Sequence, residues 1–148
     1  MKPPTTEPGP PGGPPYELRP IGRVESSLTD RAAAPRQGDE GAPAAWLMMD
    51  PEFAPGLDGL EPGAELLVLT WFHQSHRDVL VTRPRDDPSR PERGIFTTRS
   101  PDRPNPIGLH RVTILAIEGA RLQVHPLEAI DGTPILDLKP VLAPLADR

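Results

Sequence analysis

The chain has no cysteine. That absence excludes disulfides, zinc–thiolate centres, iron–sulfur clusters and thiolate nucleophiles. No stretch approaches the roughly eighteen consecutive apolar residues that a membrane-crossing helix needs, and the start has no apolar run like that of a signal peptide. No G-x-G-x-x-G follows a strand-like run, so a dinucleotide-binding βαβ unit is unsupported, and no Walker-type phosphate loop is present. Long helices are disfavoured as well, because 23 of the 148 residues are proline and 13 are glycine. Together these absences point to a cytoplasmic chain with no membrane span.

What is present begins with a Pro-rich segment, MKPPTTEPGPPGGPP, which has no apolar periodicity. Residues 1–15 read as a disordered tail, and 16–148 as one domain. Strand-like runs follow at 16–27, 44–50, 64–73, 78–85 and 94–100, with one helical turn expected at 56–60. Two more strands lie in GLHRVTILAIEGARLQVHPLEAI, joined at the Glu118-Gly119 hairpin signal. In the last strand, 133–141, alternation puts Ile135, Asp137 and Lys139 on one face and Leu136 and Leu138 on the other. Asp137 and Lys139 are placed to pair. Seven or eight strands with almost no helix predict an all-β fold, a small antiparallel β-barrel.

The net charge of −5 is a poor match for a general nucleic-acid binder. The charge is uneven, however. Seven arginines between Arg77 and Arg103 face five acids, which makes one locally positive region on an acidic body. Within that region lies GIFTTRSPDRPNPIGLHRV. Pro101, Pro104 and Pro106 stiffen it, and a loop already restricted when unfolded loses less entropy when a ligand orders it. Arg99 and Arg103 offer planar forks suited to carboxylate or phosphate, Asn105 offers a donor and an acceptor, and Gly108 allows close backbone approach.

Three further clusters accompany it. AIDGTPILDLKP has a turn signal at Asp131-Gly132, followed by Thr133. TWFHQSHRD carries His73 and His76 at a spacing that could hold a metal, but no carboxylate cluster accompanies them, so no metal site is expected. PRQG brackets Arg36 and Gln37 between Pro35 and Gly38.

The run from Phe96 to Gly108 closely resembles the signature of the TsaA-like, or TrmO-type, family of S-adenosyl-L-methionine-dependent tRNA N6-threonylcarbamoyladenosine methyltransferases. PRQG, DGTPILDLKP, IGRVES and WFH resemble further stretches of that family, in the same order. The resemblance implies a small β-barrel unrelated to Rossmann methyltransferases. It also implies a homodimer with S-adenosyl-L-methionine near the subunit interface, and tRNA as substrate. The implied cofactor-facing positions are Pro35, Arg36, Gln37, His73, Gln74, Arg99, Leu109, Asp131, Gly132 and Thr133. Arg99, Asp131 and His73 are candidate catalytic residues, and Arg103, Asn105 and His110 candidate substrate contacts. His110 stands where the family often has Ser, and Val141 where it often has Tyr. A same-fold methyltransferase acting on a small molecule, and a non-catalytic cofactor-binding module, are the alternatives.

Overall fold

In the computed structural model, residues 15–29, 41–83 and 87–142 are described. Eight strands run in chain order: β1 Gly22–Glu25, β2 Ala45–Met49, β3 Glu65–Trp71, β4 Val81–Thr82, β5 Arg93–Gly94, β6 Ile107–Glu118, β7 Arg121–His125 and β8 Pro134–Pro140. Six of them close into an antiparallel barrel in the order β1-β2-β7-β6-β3-β8, with β8 pairing back onto β1. β4 and β5 form a separate two-stranded ribbon.

Closure works because each long strand alternates. Val24, Leu47, Leu66, Val68, Val112, Ile114, Leu122, Val124 and Ile135 are fully buried inside the barrel. Their neighbours point outward, as a pleat of period two requires. Two irregularities adjust the fit. Register slips between Ile114 and Ala116, leaving Leu115 exposed, and again where β8 passes Leu69 and Thr70. The second is a bulge at Leu136: Asp137 pairs with Leu69, while Ile135 pairs with Thr70. The alternation expected for 133–141 is therefore broken. Ile135 and Leu138 both serve the core, and Ile135 and Asp137 do not share a face. Asp137 and Lys139 do meet, Oδ2 to Nζ at 3.8 Å, on the surface.

Three other expectations shift. The helical turn expected at 56–60 is a 3-10 helix at Pro51–Leu57, with Pro51 starting it. In the run 94–100 only Gly94 belongs to a strand, as the end of β5, and a 3-10 turn, Ile95–Thr97, follows. The hairpin turn is Gly119-Ala120, one residue later than its signal, because Glu118 still pairs with Arg121. Gly119 takes φ 61°, as a primed hairpin turn needs.

Topology decides where function can sit. β1 and β3 leave the barrel, and β6 and β8 enter it, at the same end. The connection from β7 to β8 packs Leu127, Ala129 and Ile130 into the core on its way to this rim. No described helix is long and apolar enough to cross a membrane.

Candidate functional site

The rim gathers every described candidate cluster. His73 and Gln74 follow β3, the stiff loop 99–106 precedes β6, and Asp131–Thr133 precede β8. Pro35, Arg36 and Gln37 lie outside the described residues.

The first two clusters are clamped together. Phe72 N–H donates to the Pro106 carbonyl at 2.8 Å, and His76 N–H to Asp102 Oδ1 at 2.9 Å. Arg77 completes the clamp: its Nε donates to the Pro104 carbonyl at 2.8 Å and its Nη2 to Asn105 Oδ1 at 3.2 Å. Its guanidinium lies 5.0 Å over the Trp71 ring, a cation–π contact. In the sequence Arg77 marks only the edge of a basic region, since nothing local reveals a partner almost thirty residues away.

The third cluster is tied to the exit of β1. Asp131 Oδ1 accepts from Ser26 N–H at 3.0 Å, Asp131 N–H donates to the Leu28 carbonyl, and Gly132 N–H to that of Val24. Gly132 holds φ 84°, a conformation that other residues rarely adopt. The Thr133 side chain is buried, and its hydroxyl donates to the Ile130 carbonyl at 2.7 Å. Thr133 thus builds the turn that presents Asp131 and Gly132.

The arginines divide by environment. Arg103 Nη1 turns inward, donating to the Thr98 and Ser100 carbonyls at 2.8 and 3.2 Å. Arg83 approaches Glu92 and the Arg90 carbonyl, and Arg90 approaches Asp87. Among the described residues, the exposed Arg93 and Arg99 side chains have neither ion pair nor hydrogen bond. The basic region is therefore partly neutralised, and Arg99 is its open cation on the rim. His73, Gln74 and Asn105 are exposed at the same end of the barrel, and Leu109 points outward at 42% exposure.

His110 is placed differently. It faces into the barrel, 2% exposed, with Nε2 2.7 Å from Thr70 Oγ1 and Nδ1 2.5 Å from Glu128 Oε1. The edge of Phe72 packs against its ring at 5.7 Å between centroids. It has no open face for a substrate. Ser75 likewise carries no signal of its own in the sequence. Its hydroxyl is shielded and meets no hydrogen-bond partner among the described residues.

Among the described residues no three His, Asp or Glu side chains converge as metal ligands would. Two open concavities, about 340 and 440 Å³, lie on the flanks of the barrel and touch no candidate residue. The rim itself is rich in hydrogen-bonding groups. A free guanidinium, exposed amide and imidazole groups, and a carboxylate suit a small zwitterionic ligand that offers both a carboxylate and an amine.

A closed six-stranded barrel that carries its polar site on rim loops, without a glycine-rich βαβ unit, defines a class apart from Rossmann enzymes. The chain belongs to the tRNA-methyltransferase O N-terminal domain family, whose pattern matches residues 23–147. An S-adenosyl-L-methionine-binding protein of Archaeoglobus fulgidus is 43% identical over 122 residues, which is 82% of this chain and 86% of that protein. A crystal structure of TrmO from Pseudomonas aeruginosa matches with a TM-score of 0.68 at 32% identity, covering 86% of this chain and 56% of that one. Another crystal structure of TrmO gives 0.70 at 34% identity, with 86% and 58% covered. This chain spans little more than half the length of those solved TrmO chains.

Proposed function

We propose that this chain is an S-adenosyl-L-methionine-dependent methyltransferase that N-methylates threonylcarbamoyladenosine in the tRNA anticodon loop. Family membership supports the enzyme class and the cofactor. One observation supports the reading on this chain's own residues: three clusters far apart in sequence are carried to the same end of the barrel, and one of them holds the exposed Arg99.

S-adenosyl-L-methionine, when bound, supplies a methyl group already activated on a sulfonium, so no metal is required. The protein's work is alignment and proton removal. Arg99 would hold the cofactor carboxylate. Gln74, Asp131 and the backbone at Gly132 would take its polar groups, and Leu109 would offer an apolar surface to it. Asn105 and Arg103 shape the side facing the acceptor. His73 and Asp131 are the exposed groups placed to accept the proton that the acceptor nitrogen loses.

A second copy of the chain completes the site. The outer faces of β3 and β6 pair Leu69 with Leu109 and Trp71 with Ile107, and Leu109 and Ile107 are each about 40% exposed. An apolar strip of this kind beside a polar rim fits a homodimer interface.

A small-molecule acceptor is the second reading. The pairing of Arg83 and Arg90 and the inward turn of Arg103 favour it, because they reduce the positive surface offered to a long polyanion. The test is calorimetric titration with S-adenosyl-L-methionine, followed by transfer of a labelled methyl group. The acceptors are tRNA carrying the threonylcarbamoyl group, the same tRNA lacking it, and a metabolite extract. Label only in the modified tRNA supports the first reading, and label only in the extract supports the second. Absence of cofactor binding overturns both.

A further inference from the structure

The buried chain Thr70–His110–Glu128 has the connectivity of a hydrolytic triad: a hydroxyl, an imidazole and a carboxylate in series. It cannot act as one. Thr70 is fully buried and His110 nearly so, so no substrate carbonyl can reach the hydroxyl. A polar network set against an apolar core is costly unless every member is satisfied, and here Thr70 and His110 are bonded in series to Glu128, whose side chain is 13% exposed. A carboxylate only accepts, so His110 Nδ1 carries the proton given to Glu128. In the neutral ring Nε2 then accepts from the Thr70 hydroxyl.

The three members stand on three different elements. Thr70 lies at the end of β3, three residues before His73. His110 lies on β6, next to Leu109. Glu128 lies on the β7–β8 connection, three residues before Asp131. Each is thus the inner anchor of one rim cluster. Phe72 strengthens the link, since its ring touches His110 while its N–H holds the Pro106 carbonyl. Among the described residues, Glu128 is the titratable group bonded to the His110 ring, with Thr70 and Phe72 as its other neighbours.

We propose that Thr70, His110 and Glu128 are positioning residues whose buried hydrogen-bond chain sets the mutual placement of the three rim clusters, so that cofactor affinity depends on it. The inference rests on the cofactor reading above. It also gives His110 a role on the inner side of the rim instead of contact with substrate.

The chemistry suggests paired variants. Glu128→Gln keeps an acceptor for Nδ1–H, and Glu128→Ala removes it. Thr70→Ser keeps the hydroxyl, and Thr70→Val removes it. Calorimetric titration of the full chain with S-adenosyl-L-methionine is expected to show affinity lowered about tenfold for Glu128→Ala and Thr70→Val. Glu128→Gln and Thr70→Ser should stay within about threefold of wild type. Equal affinity across all four, or equal loss with the conservative and the truncating variants, overturns the proposal. If the truncating variants do not fold, nitrogen NMR of the wild-type His110 ring decides. A proton resident on Nδ1, with ring resonances that move on addition of S-adenosyl-L-methionine, supports the proposal, and a ring indifferent to it overturns it. A wild-type chain that binds no S-adenosyl-L-methionine removes the cofactor reading itself, an outcome visible before any variant is made.

Discussion

Arg77 and Asn105 meet across 28 residues of sequence, Nη2 to Oδ1 at 3.2 Å, while the same guanidinium grips the Pro104 carbonyl. The contact fastens the segment after β3 to the turn before β6. The prolines restrict that turn locally, and Arg77 fixes where it stands.

Replacing Arg77 with Ala is therefore expected to loosen the loop without unfolding the barrel. Two charge-assisted hydrogen bonds are lost, worth about 1–3 kcal/mol locally. The amides of Phe72 and Ile107, which bond to the Pro106 and Asn105 carbonyls, report the change. Their hydrogen exchange should accelerate while amides of β2 and β7 stay protected. Unchanged exchange at Phe72 and Ile107 would mean that the prolines alone hold the turn.

Arg99 and Arg103 separate binding from stability. Arg99 is open to solvent and Arg103 is bonded to its own loop. Arg99→Ala should weaken S-adenosyl-L-methionine binding by more than about tenfold, or about 1.4 kcal/mol, and leave Tm unchanged. Arg103→Ala should lower stability by about 1–2 kcal/mol through two lost bonds to carbonyls. Calorimetry and thermal melts on both variants check this, and a reversed pattern would exchange the two roles.

The barrel was largely legible in the sequence because strands such as β3 and β6 alternate over many residues. Departures arose where a local signal met a competing bond. Thr97 and Thr98 suggest a strand, yet their hydroxyls donate to the Gly94 and Ile95 carbonyls and draw the chain into a 3-10 turn. The Leu136 bulge answers to β3 and leaves no trace in β8 itself. The site was legible as a set of stiff, donor-rich loops. Its internal wiring was not, because the partners of Arg77, Asp102 and His110 are set by closure of the barrel and not by neighbours in sequence.

Gly108 is required by that closure. A Cβ there would lie 2.4 Å from Thr70 Oγ1 and 2.5 Å from Phe72 Cζ. Gly108→Ala must displace the hydroxyl that meets His110 or the ring that packs on it. A loss of about 1–3 kcal/mol is expected from overpacking, with cofactor affinity falling as well. Denaturant melts and calorimetry check both effects. A variant as stable as wild type would show that Phe72 has room to swing away.

Leu109 tests the apolar strip on the outer face. Leu109→Arg puts a charge where Leu69 and Ile107 offer only carbon, without entering the core, since the side chain points outward. Light scattering after size exclusion is expected to show a dimer for wild type and a monomer for the variant, with far-UV circular dichroism unchanged. A wild-type monomer would remove the interface.

Glu65 and Arg111 provide the pH dependence. Arg111 Nε and Nη2 bond both carboxylate oxygens of Glu65, at 2.8 and 3.0 Å, on the exposed face of β3 and β6. The hydrogen bond from Arg111 holds the Glu65 carboxyl below its usual range, and Glu65 in turn raises Arg111. A carboxyl with a depressed folded pKa binds fewer protons folded than unfolded. Its contribution to stability is present above the ordinary glutamate pKa and is lost as pH falls through the lower folded value. Glu65→Gln has no such titration. At about pH 7 wild type should melt slightly above the variant, the difference being small because both side chains are solvated. As pH falls below the lowered folded pKa of Glu65, the two melting curves should converge. A gap that persists unchanged in acid would mean that Glu65 acts through shape and not through charge.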